Sequence, residues 1–324
     1  MALVECIPNI SVGADKDLSA ELIRTLQKQS GIGLWHYDRG EAVNRTVLTF
    51  GGEPEPTFAA AYRLYEWARA HIDLAKHRGT HPFMGSVDVC PFVPLKGITV
   101  RELNERVWTF GRRLGLELGI SGYFYEHSAP SGAPRLLAEL RRGGYPAIPQ
   151  KIRTLEPHFG EAQHWQKGGL TVLGQRPLML AFNINLARAN REKTRLLARR
   201  MREKSHPVQE KPGLKGLRAI GWYLEDFKRW QLSCNITRLD QSALWQVFDK
   251  CQNEAADLGM EVTGSELIGL IPEKELRLVA EHQGIEEKSD QIPFAVNHLG
   301  LNEIKPFDPQ KHILDRCAGV SIEY

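Results

Sequence analysis

The chain has 324 residues, of which 42% are hydrophobic and 25% are charged, a composition typical of a globular protein long enough to build two cores. No apolar run approaches the ~20 residues that a membrane helix requires, and the N-terminus lacks a basic-then-apolar signal pattern. Five scattered cysteines without a CxxC pair favour a reducing cytoplasm over a disulfide scaffold. The net charge of +3 is compatible with an anionic small-molecule substrate and gives no support for nucleic-acid binding.

The first half of the chain alternates strands and helices. Apolar runs predict strands at 3–7, 33–37 and 43–50, with a turn at 38–41, and Leu18, Leu22, Ile23 and Leu26 recur at helical spacing until Gly31. A second helix is predicted over 58–72, and Thr99 with Glu102 forms a capping box that opens a third. A short strand at 123–125 and a short helix at 135–142 follow.

The stretch 77–85 is the strongest candidate for chemistry. Gly79 interrupts any helix that His77 ends, and Pro82 favours an extended conformation at His81. His81 is therefore predicted at a bend before the apolar strand 87–93, where an imidazole can serve as a general acid or base near neutral pH. The alternative is an ordinary hydrogen-bonded surface histidine.

The second half repeats a recognisable order. Strands are predicted at 178–186, 217–224, 231–236 and 262–271, and helices at 193–202 and along the stripe from Leu244 to Ala255. Strand, helix, two strands, helix, strand is the order of ferredoxin-like folds, and the first half begins in the same way. We therefore predict an α+β fold of two tandem ferredoxin-like sandwiches, residues 1–176 and 177–324, with the substrate cleft between them.

Residues 152–174 show no strong periodicity and mix glycines with Trp165 and two histidines. A long irregular stretch inside a compact chain is usually functional, although a plain connection between domains is the alternative. A metal site is not predicted, because His77, His81 and His127 lack the spacing of known zinc motifs.

Several segments together resemble glutamate formimidoyltransferases, the formiminotransferase domain of the formimidoyltransferase-cyclodeaminase family. They are VECIPNISVG (4–13), NRTV (44–47), HP (81–82), DVCPF (88–92), AFNINL (181–186), GWYL (221–224) and GSELIGLIP (264–272). The resemblance extends over nearly the whole chain.

The resemblance implies a cytoplasmic, usually homodimeric enzyme of histidine degradation and one-carbon metabolism, with no metal. It implies transfer of a formimino group between N-formimidoyl-L-glutamate and the co-substrate tetrahydrofolate, giving 5-formimidoyltetrahydrofolate and glutamate. Longer relatives carry a cyclodeaminase domain, so a chain ending at Tyr324 is expected to pass its product to a separate cyclodeaminase.

The resemblance also implies residue roles. The catalytic histidine falls on His81. The folate-contacting segment falls on the unpatterned stretch and comprises Gly160, Glu161, Ala162, Gln163, His164, Trp165, Gln166, Lys167, Gly168 and Gly169. Trp165 is a candidate to stack on the pteridine ring, or it serves loop packing.

Four other residues complete the candidate site. Asp38 is expected to orient His81 or act as a second base, unless it only forms the turn before Gly40. Asn9, Asn44 and Arg45 are predicted to bind substrate, Arg45 by holding a glutamate carboxylate in a fork of two hydrogen bonds or else lying solvated on its strand. His77 is predicted to be structural.

The sequence departs from the family at two positions. The family usually has an acidic residue just before the catalytic histidine and an arginine two residues after it, where this chain has Thr80 and Phe83. Formyl transfer between N-formylglutamate and 5-formyltetrahydrofolate therefore stays open as an alternative reaction, as does a folate-binding protein without catalysis.

Overall fold

A computed structural model describes residues 2–79, 82–202 and 212–322. The candidate catalytic residue His81 lies outside the described residues, as does Thr80. The chain divides into two compact units, one running up to Arg176 and the other comprising Pro177–Ile322. Each unit contains its own sheet and its own hydrophobic core, so the prediction of a mixed α+β fold with two sheets is confirmed.

The N-terminal unit is built on a seven-stranded sheet. Its strands are β1 (Leu3–Cys6), β2 (Asn9–Ile10), β3 (Ile32–Gly40), β4 (Arg45–Gly52), β5 (Val87–Lys96), β6 (Gly122–Phe124) and β7 (Thr171–Gln175). Its helices are α1 (Lys16–Gln27), α2 (Pro54–His71), α3 (Val100–Leu118), α4 (Leu137–Leu140), α5 (Ile148–Thr154) and α6 (Trp165–Gly168).

The strand order of this sheet is β3, β4, β1 with β2, β5, β7, β6. Both β1 and β2 run antiparallel between β4 and β5, so together they occupy one strand position. Beyond β5 the pairing becomes parallel through β7 to β6. If β1 and β2 are counted together as the first strand position, then β3, β4 and β5 are the second, third and fourth. Along the sheet these positions have the order fourth, first, third, second.

The C-terminal unit has a four-stranded antiparallel sheet in the order β11, β8, β10, β9. Its elements are β8 (Leu180–Ala187), α7 (Arg191–Met201), β9 (Leu217–Leu224), β10 (Arg229–Ile236), α8 (Leu244–Asp257), β11 (Glu261–Ile268), α9 (Glu273–His282), α10 (Lys288–His298), α11 (Pro309–His312) and α12 (Leu314–Ala318). The order of its strands along the sheet is again fourth, first, third, second.

Local sequence signals explain where the long helices begin. The Thr99 side chain accepts a hydrogen bond from the Glu102 amide, and Glu102 bonds back to the Thr99 amide, so the predicted capping box of α3 is confirmed. Pro54 occupies the first turn of α2, where its missing N–H costs nothing. The apolar faces of α1, α2 and α3 pack on one side of the seven-stranded sheet around Leu48, Phe50 and Phe92.

Three predictions about local structure were wrong. The turn predicted at 38–41 lies at 41–44, because the cross-strand pairing of β3 with β4 continues to Gly40. The irregular stretch 152–174 runs into the buried strand β7, whose short apolar core carries no periodic signal. The strand predicted at 262–271 ends at Ile268 as β11, and helices that the sequence analysis did not predict follow it.

No helix within the described residues has the length and apolar character needed to cross a lipid bilayer.

Candidate active site

The two segments that flank Thr80 and His81, residues 77–79 and 82–86, are both held by distant parts of the N-terminal unit. Pro82 and Phe83 are the two residues between His81 and Met84 in the sequence. These flanks are therefore the described residues nearest in sequence to the candidate catalytic residue.

Asn44 fixes the segment that precedes His81. It lies in the turn between β3 and β4 with a φ of 48°, a left-handed conformation that asparagine tolerates better than most residues. Its Oδ1 accepts hydrogen bonds from the amides of Gly13 and Ala14 at 2.9 and 2.8 Å, and its Nδ2 donates to the carbonyl of Arg78 at 2.8 Å. A side chain at Gly79 would collide with the carbonyl oxygen of Val43, so the segment lies directly against this turn.

His77 is buried beside this turn. Its Nδ1 lies 3.3 Å from Asn44 Nδ2, and because the amide nitrogen can only donate, Nδ1 is the acceptor. The imidazole packs edge-on against the Phe83 ring, with 4.3 Å between centroids. Burial lowers the pKa of His77, so its ring is neutral at pH 7 and fits a packing role.

The segment that follows His81 is held by three other parts of the unit. The Ser11 hydroxyl donates to the carbonyl of Gly85, and the Ser11 amide donates to that of Ser86, both at 2.8 Å. The amide of Ser86 in turn donates to the carbonyl of Gly168 at 2.7 Å. The Met84 amide donates to Asp88 Oδ1 at 2.8 Å.

Asp88 joins a cluster of four polar side chains, Asn9, Arg45, Asp88 and Arg141, which we call the arginine cluster. Nε and Nη2 of Arg45 both donate to Asn9 Oδ1, at 2.9 and 2.7 Å. Asp88 Oδ2 lies 3.3 Å from Arg45 Nη1 and 2.8 Å from Arg141 Nη2. Asp88 is 1% exposed, Arg45 10% and Arg141 15%.

Arg45 is thus not a solvated strand residue, because its side chain is 10% exposed and paired with Asn9 and Asp88. Burial lowers the pKa of Arg45 to about 10, although the Asp88 carboxylate counteracts part of that shift. The guanidinium remains charged at neutral pH, and much of its hydrogen-bonding capacity is directed at Asn9 and Asp88.

The second half of the predicted folate segment lies against the flanks of His81. The amide of Leu74 donates to the carbonyl of Lys167 at 2.9 Å, and Gly169, with a φ of 72°, lies so close to the carbonyl of Met84 that a Cβ could not fit. The aromatic rings of Phe83, Tyr145 and Trp165 form a series, with centroids 6.2 and 5.6 Å apart. The half-buried Trp165 therefore packs in the loop and still exposes part of its ring.

The first half of that segment contacts a different region. Gly160, with a φ of 71°, packs against Ile120 and Ser121, and the Ser121 hydroxyl donates to the carbonyl of Glu161 at 2.5 Å. The Glu161 carboxylate accepts from Gln163 and lies 3.6 Å from His164. These residues and Ala162 lie near the end of α3 rather than against residues 82–86.

Asp38 lies on β3, two strands away from Asn9. It is in register with Val47 of β4, which is in register with Asn9 of β2, so Asp38 and Asn9 share a row about 10 Å apart. The Asp38 side chain is partly exposed.

Ser11, Asp88, Arg141 and Tyr145 were not predicted from the sequence as residues of this site. Asp88 carried a usable signal, because a carboxylate inside an apolar strand requires a partner. Arg141 carried none, because it is one of several arginines around a short helix.

A second polar cluster lies on the four-stranded sheet, and we call it the amide cluster. It contains Asn183, Asn185, Trp222, Arg229, Gln231, Glu266, Glu303 and Lys305. Gln231 donates to Asn185 Oδ1 at 2.8 Å and accepts from Trp222 Nε1 at 3.0 Å. Asn185 donates to Glu303 at 2.5 Å, and Glu303 also pairs with Arg229.

Within residues 2–79, 82–202 and 212–322, no three histidine, cysteine, aspartate or glutamate side chains are grouped so as to hold a metal ion.

The chain matches two family models along almost its entire length. Residues 3–176 match the model described as formiminotransferase domain, N-terminal subdomain, and residues 181–318 match the model described as formiminotransferase domain. The chain therefore belongs to the formiminotransferase domain family.

Individual relatives agree with this assignment. The glutamate formimidoyltransferase of Streptococcus pyogenes serotype M1 is 36% identical over 300 residues, which cover 92% of this chain and 98% of that protein. The glutamate formimidoyltransferase of Thermoplasma acidophilum is 30% identical over 87% of this chain and 92% of its own length. The formimidoyltransferase-cyclodeaminase of Mus musculus is 36% identical over 321 residues, which are 97% of this chain. The match spans only 59% of the length of the mouse protein.

Among solved structures, the periplasmic protease PqqL from Escherichia coli covers 95% of this chain and 39% of its own, at 10% identity and a TM-score of 0.20.

Proposed function

We propose that this protein is a glutamate formimidoyltransferase that moves a formimino group between N-formimidoyl-L-glutamate and tetrahydrofolate. The observation that carries the proposal is the similarity to the Streptococcus pyogenes glutamate formimidoyltransferase over 98% of that protein's length. The products in the forward direction are 5-formimidoyltetrahydrofolate and L-glutamate, and the reaction needs no metal.

The chemistry needs one group that both accepts and returns a proton. As N5 of tetrahydrofolate bonds to the formimino carbon it loses a proton, and as the carbon–nitrogen bond to glutamate breaks, the departing amine gains one. A single imidazole with a pKa near 7 suits both steps and contributes roughly 10²–10⁴-fold in rate. We assign this role to His81, with Asp38 as the residue that orients it or acts as a second base.

The remaining residues hold this group and the substrates in place. Asn44 acts as a positioning residue, which its bonds to Gly13, Ala14 and Arg78 support. Trp165, Gln166, Lys167, Gly168 and Gly169 contact the folate, which their packing against residues 74–86 supports. Holding two substrates in line is worth up to about 7–11 kcal/mol, so such positioning outweighs any single proton transfer.

The finer architecture belongs to the same proposal. We assign each unit to the ferredoxin-like fold, which the strand order fourth, first, third, second in both sheets supports. The subdomain boundary near Arg176 and the cleft between the units remain predictions from the order of strands and helices. The homodimer remains a prediction from the family resemblance, and the cytoplasmic location one from that resemblance and the cysteine content.

Formyl transfer is the second candidate reaction. Phe83, at the position where the family usually has an arginine, packs between His77 and Tyr145, so a cationic contact with the donor is lost there. Steady-state assays with N-formimidoyl-L-glutamate and N-formyl-L-glutamate as donors separate the two reactions. Exclusive use of the formyl donor would overturn our choice.

The decisive variant is His81→Ala. We expect kcat to fall by roughly 10²–10⁴-fold while the affinity for 5-formyltetrahydrofolate stays within about tenfold, because the imidazole acts on protons rather than on binding. His282→Ala is the control, since that histidine pairs with Asp249 in the C-terminal unit. If the unmutated protein binds the folate but turns over neither donor, it is a folate-binding protein instead.

A further inference from the structure

Arg141 has hydrogen-bond donors that nothing in the described chain uses. It directly follows α4, and its Nε and Nη2 atoms are buried without a hydrogen-bond partner among the described residues, although Nη2 lies 2.8 Å from Asp88 Oδ2. A guanidinium offers five N–H donors, and buried donors in native proteins are nearly always paired. The unpaired donors therefore indicate a missing acceptor.

The balance of charges around Arg141 also indicates a missing acceptor. Asp88 Oδ2 is shared between Arg45 and Arg141, and Asp88 Oδ1 accepts the amide of Met84. One carboxylate thus faces two guanidinium groups. Among residues 2–79, 82–202 and 212–322, Asp88 is the one carboxylate within ion-pairing distance of Arg141. Burying a cation with half a counter-charge is unfavourable, so an anionic ligand fits the arrangement better than a neutral one.

The position of Arg141 connects it to the candidate active site. Its partner Asp88 holds Met84, three residues after His81. The loop after Arg141 leads to Tyr145, whose amide donates to the carbonyl of Phe83 at 2.8 Å. The Arg141 side chain retains 15% exposure, so it lies at the edge of the arginine cluster, although its Nε and Nη2 atoms are themselves buried.

We propose that Arg141 binds a carboxylate of the amino-acid substrate through its unused N–H donors. The assignment rests on the proposed function. A planar guanidinium matches a carboxylate with two parallel hydrogen bonds, which a lysine cannot form. In N-formimidoyl-L-glutamate the α-carboxylate is two bonds from the nitrogen that releases the formimino group, whereas the carboxylates of folate lie at the far end of its aminobenzoyl tail.

The test is a titration of three proteins with L-glutamate by isothermal calorimetry. We expect Arg141→Met to bind L-glutamate about 10- to 100-fold more weakly than the unmutated protein, the range for losing a hydrogen-bonded charge. Arg142→Met is the matched control, because Arg142 is the exposed next residue, and it should bind glutamate normally. Affinity for 5-formyltetrahydrofolate should change less than twofold in both variants.

Kinetics give a second readout. In Arg141→Met the KM for N-formimidoyl-L-glutamate should rise by a similar factor, while the KM for tetrahydrofolate stays constant. Unchanged glutamate affinity in Arg141→Met would show that Arg141 only neutralises Asp88. Weakened folate binding with normal glutamate binding would show that Arg141 binds a carboxylate of the folate tail, which would overturn the assignment.

Arg141→Lys covers the case in which the methionine variant does not fold. It keeps a positive charge beside Asp88 but cannot form the two parallel bonds, so glutamate affinity should fall about tenfold. Wild-type affinity in that variant would contradict the proposal.

If the unmutated protein transfers neither one-carbon group but binds glutamate through Arg141, the proposed function fails and this inference stands. If the protein is active and its glutamate affinity does not depend on Arg141, the proposed function stands and this inference fails.

Discussion

The two sheets of this protein share the order of four strand positions, but the polar clusters on them balance their charges differently. In the amide cluster of the C-terminal unit, two carboxylates, Glu266 and Glu303, face two cations, Lys305 and Arg229. In the arginine cluster of the N-terminal unit, the single carboxylate of Asp88 serves both Arg45 and Arg141. The carboxylates and cations of the amide cluster are equal in number, whereas the arginine cluster has an excess of positive charge, which we propose a ligand offsets.

The glutamates of the two units show the same contrast. Burial raises the pKa of Glu5 on β1 to about 7, and its Oε2 has no hydrogen-bond partner among the described residues. For Glu303, burial alone would raise the pKa, but hydrogen bonds from Asn185 and Thr263 and the pairing with Arg229 lower it. The partly exposed Glu303 carboxylate is thus surrounded by hydrogen-bond partners, whereas the buried Glu5 carboxylate is stabilised only in part, by the charge of Arg176.

The largest stability effect should come from Asp88→Asn. It removes the shared counter-charge from two buried guanidinium groups, so we expect the free energy of unfolding to fall by about 3–5 kcal/mol, measured by urea denaturation. Glu41→Gln, which removes the exposed partner of Arg39, should cause no measurable change.

Adding Arg141→Met to Asp88→Asn sharpens this test. With one guanidinium removed, less uncompensated charge is buried, so the double variant should be more stable than Asp88→Asn alone. Equal stability of the two would mean that Arg141 without its counter-charge does not destabilise the fold, and the Arg141→Met single variant completes the cycle that gives the Arg141–Asp88 interaction energy.

A smaller effect with a distinct pH dependence is expected from Glu5. The pKa of Glu5 in the folded state lies above its value in the unfolded chain. The contribution of the Glu5 carboxyl to the free energy of unfolding is therefore fully present below about pH 4 and is lost as the pH rises through about 7. Glu5→Gln should therefore be more stable than the wild type at pH 8, by up to about 3 kcal/mol, and the difference should vanish near pH 4. Thermal unfolding at a series of pH values measures this, and a constant difference would contradict the raised pKa.

Glu303→Gln should have the smallest effect of the three and the opposite pH dependence. Because the pKa of Glu303 is lowered in the folded state, the ionised carboxylate stabilises the fold at pH values above the usual pKa of glutamate. This contribution is lost as the pH falls through the folded-state pKa. We expect a loss of about 1–3 kcal/mol at pH 7 that shrinks in acid, measured by urea denaturation. Glutamate binding should be unaffected, and a weaker affinity would refute the division of roles between the two clusters.

The sequence predicted helices whose signals lie within a few neighbouring residues, but it did not predict contacts between residues far apart in the chain. Helical spacing and the Thr99 cap were enough to place α1 and α3, because these signals act within a few residues. The Asp88–Arg141 pair joins a strand to a loop more than fifty residues away, and no periodicity encodes such a contact. The family resemblance pointed to residues 160–169, but it could not show that only the second half of this segment lies against residues 82–86.

The backbone hydrogen bonds that join Ser11, Ser86 and Gly168 have a consequence for how this protein matures. The three residues lie far apart in the chain, so during synthesis on the ribosome these hydrogen bonds cannot form until the segment around Gly168 has emerged. Nascent chains shorter than this, and an isolated peptide spanning 77–92, would lack the hydrogen bonds that hold residues 85 and 86.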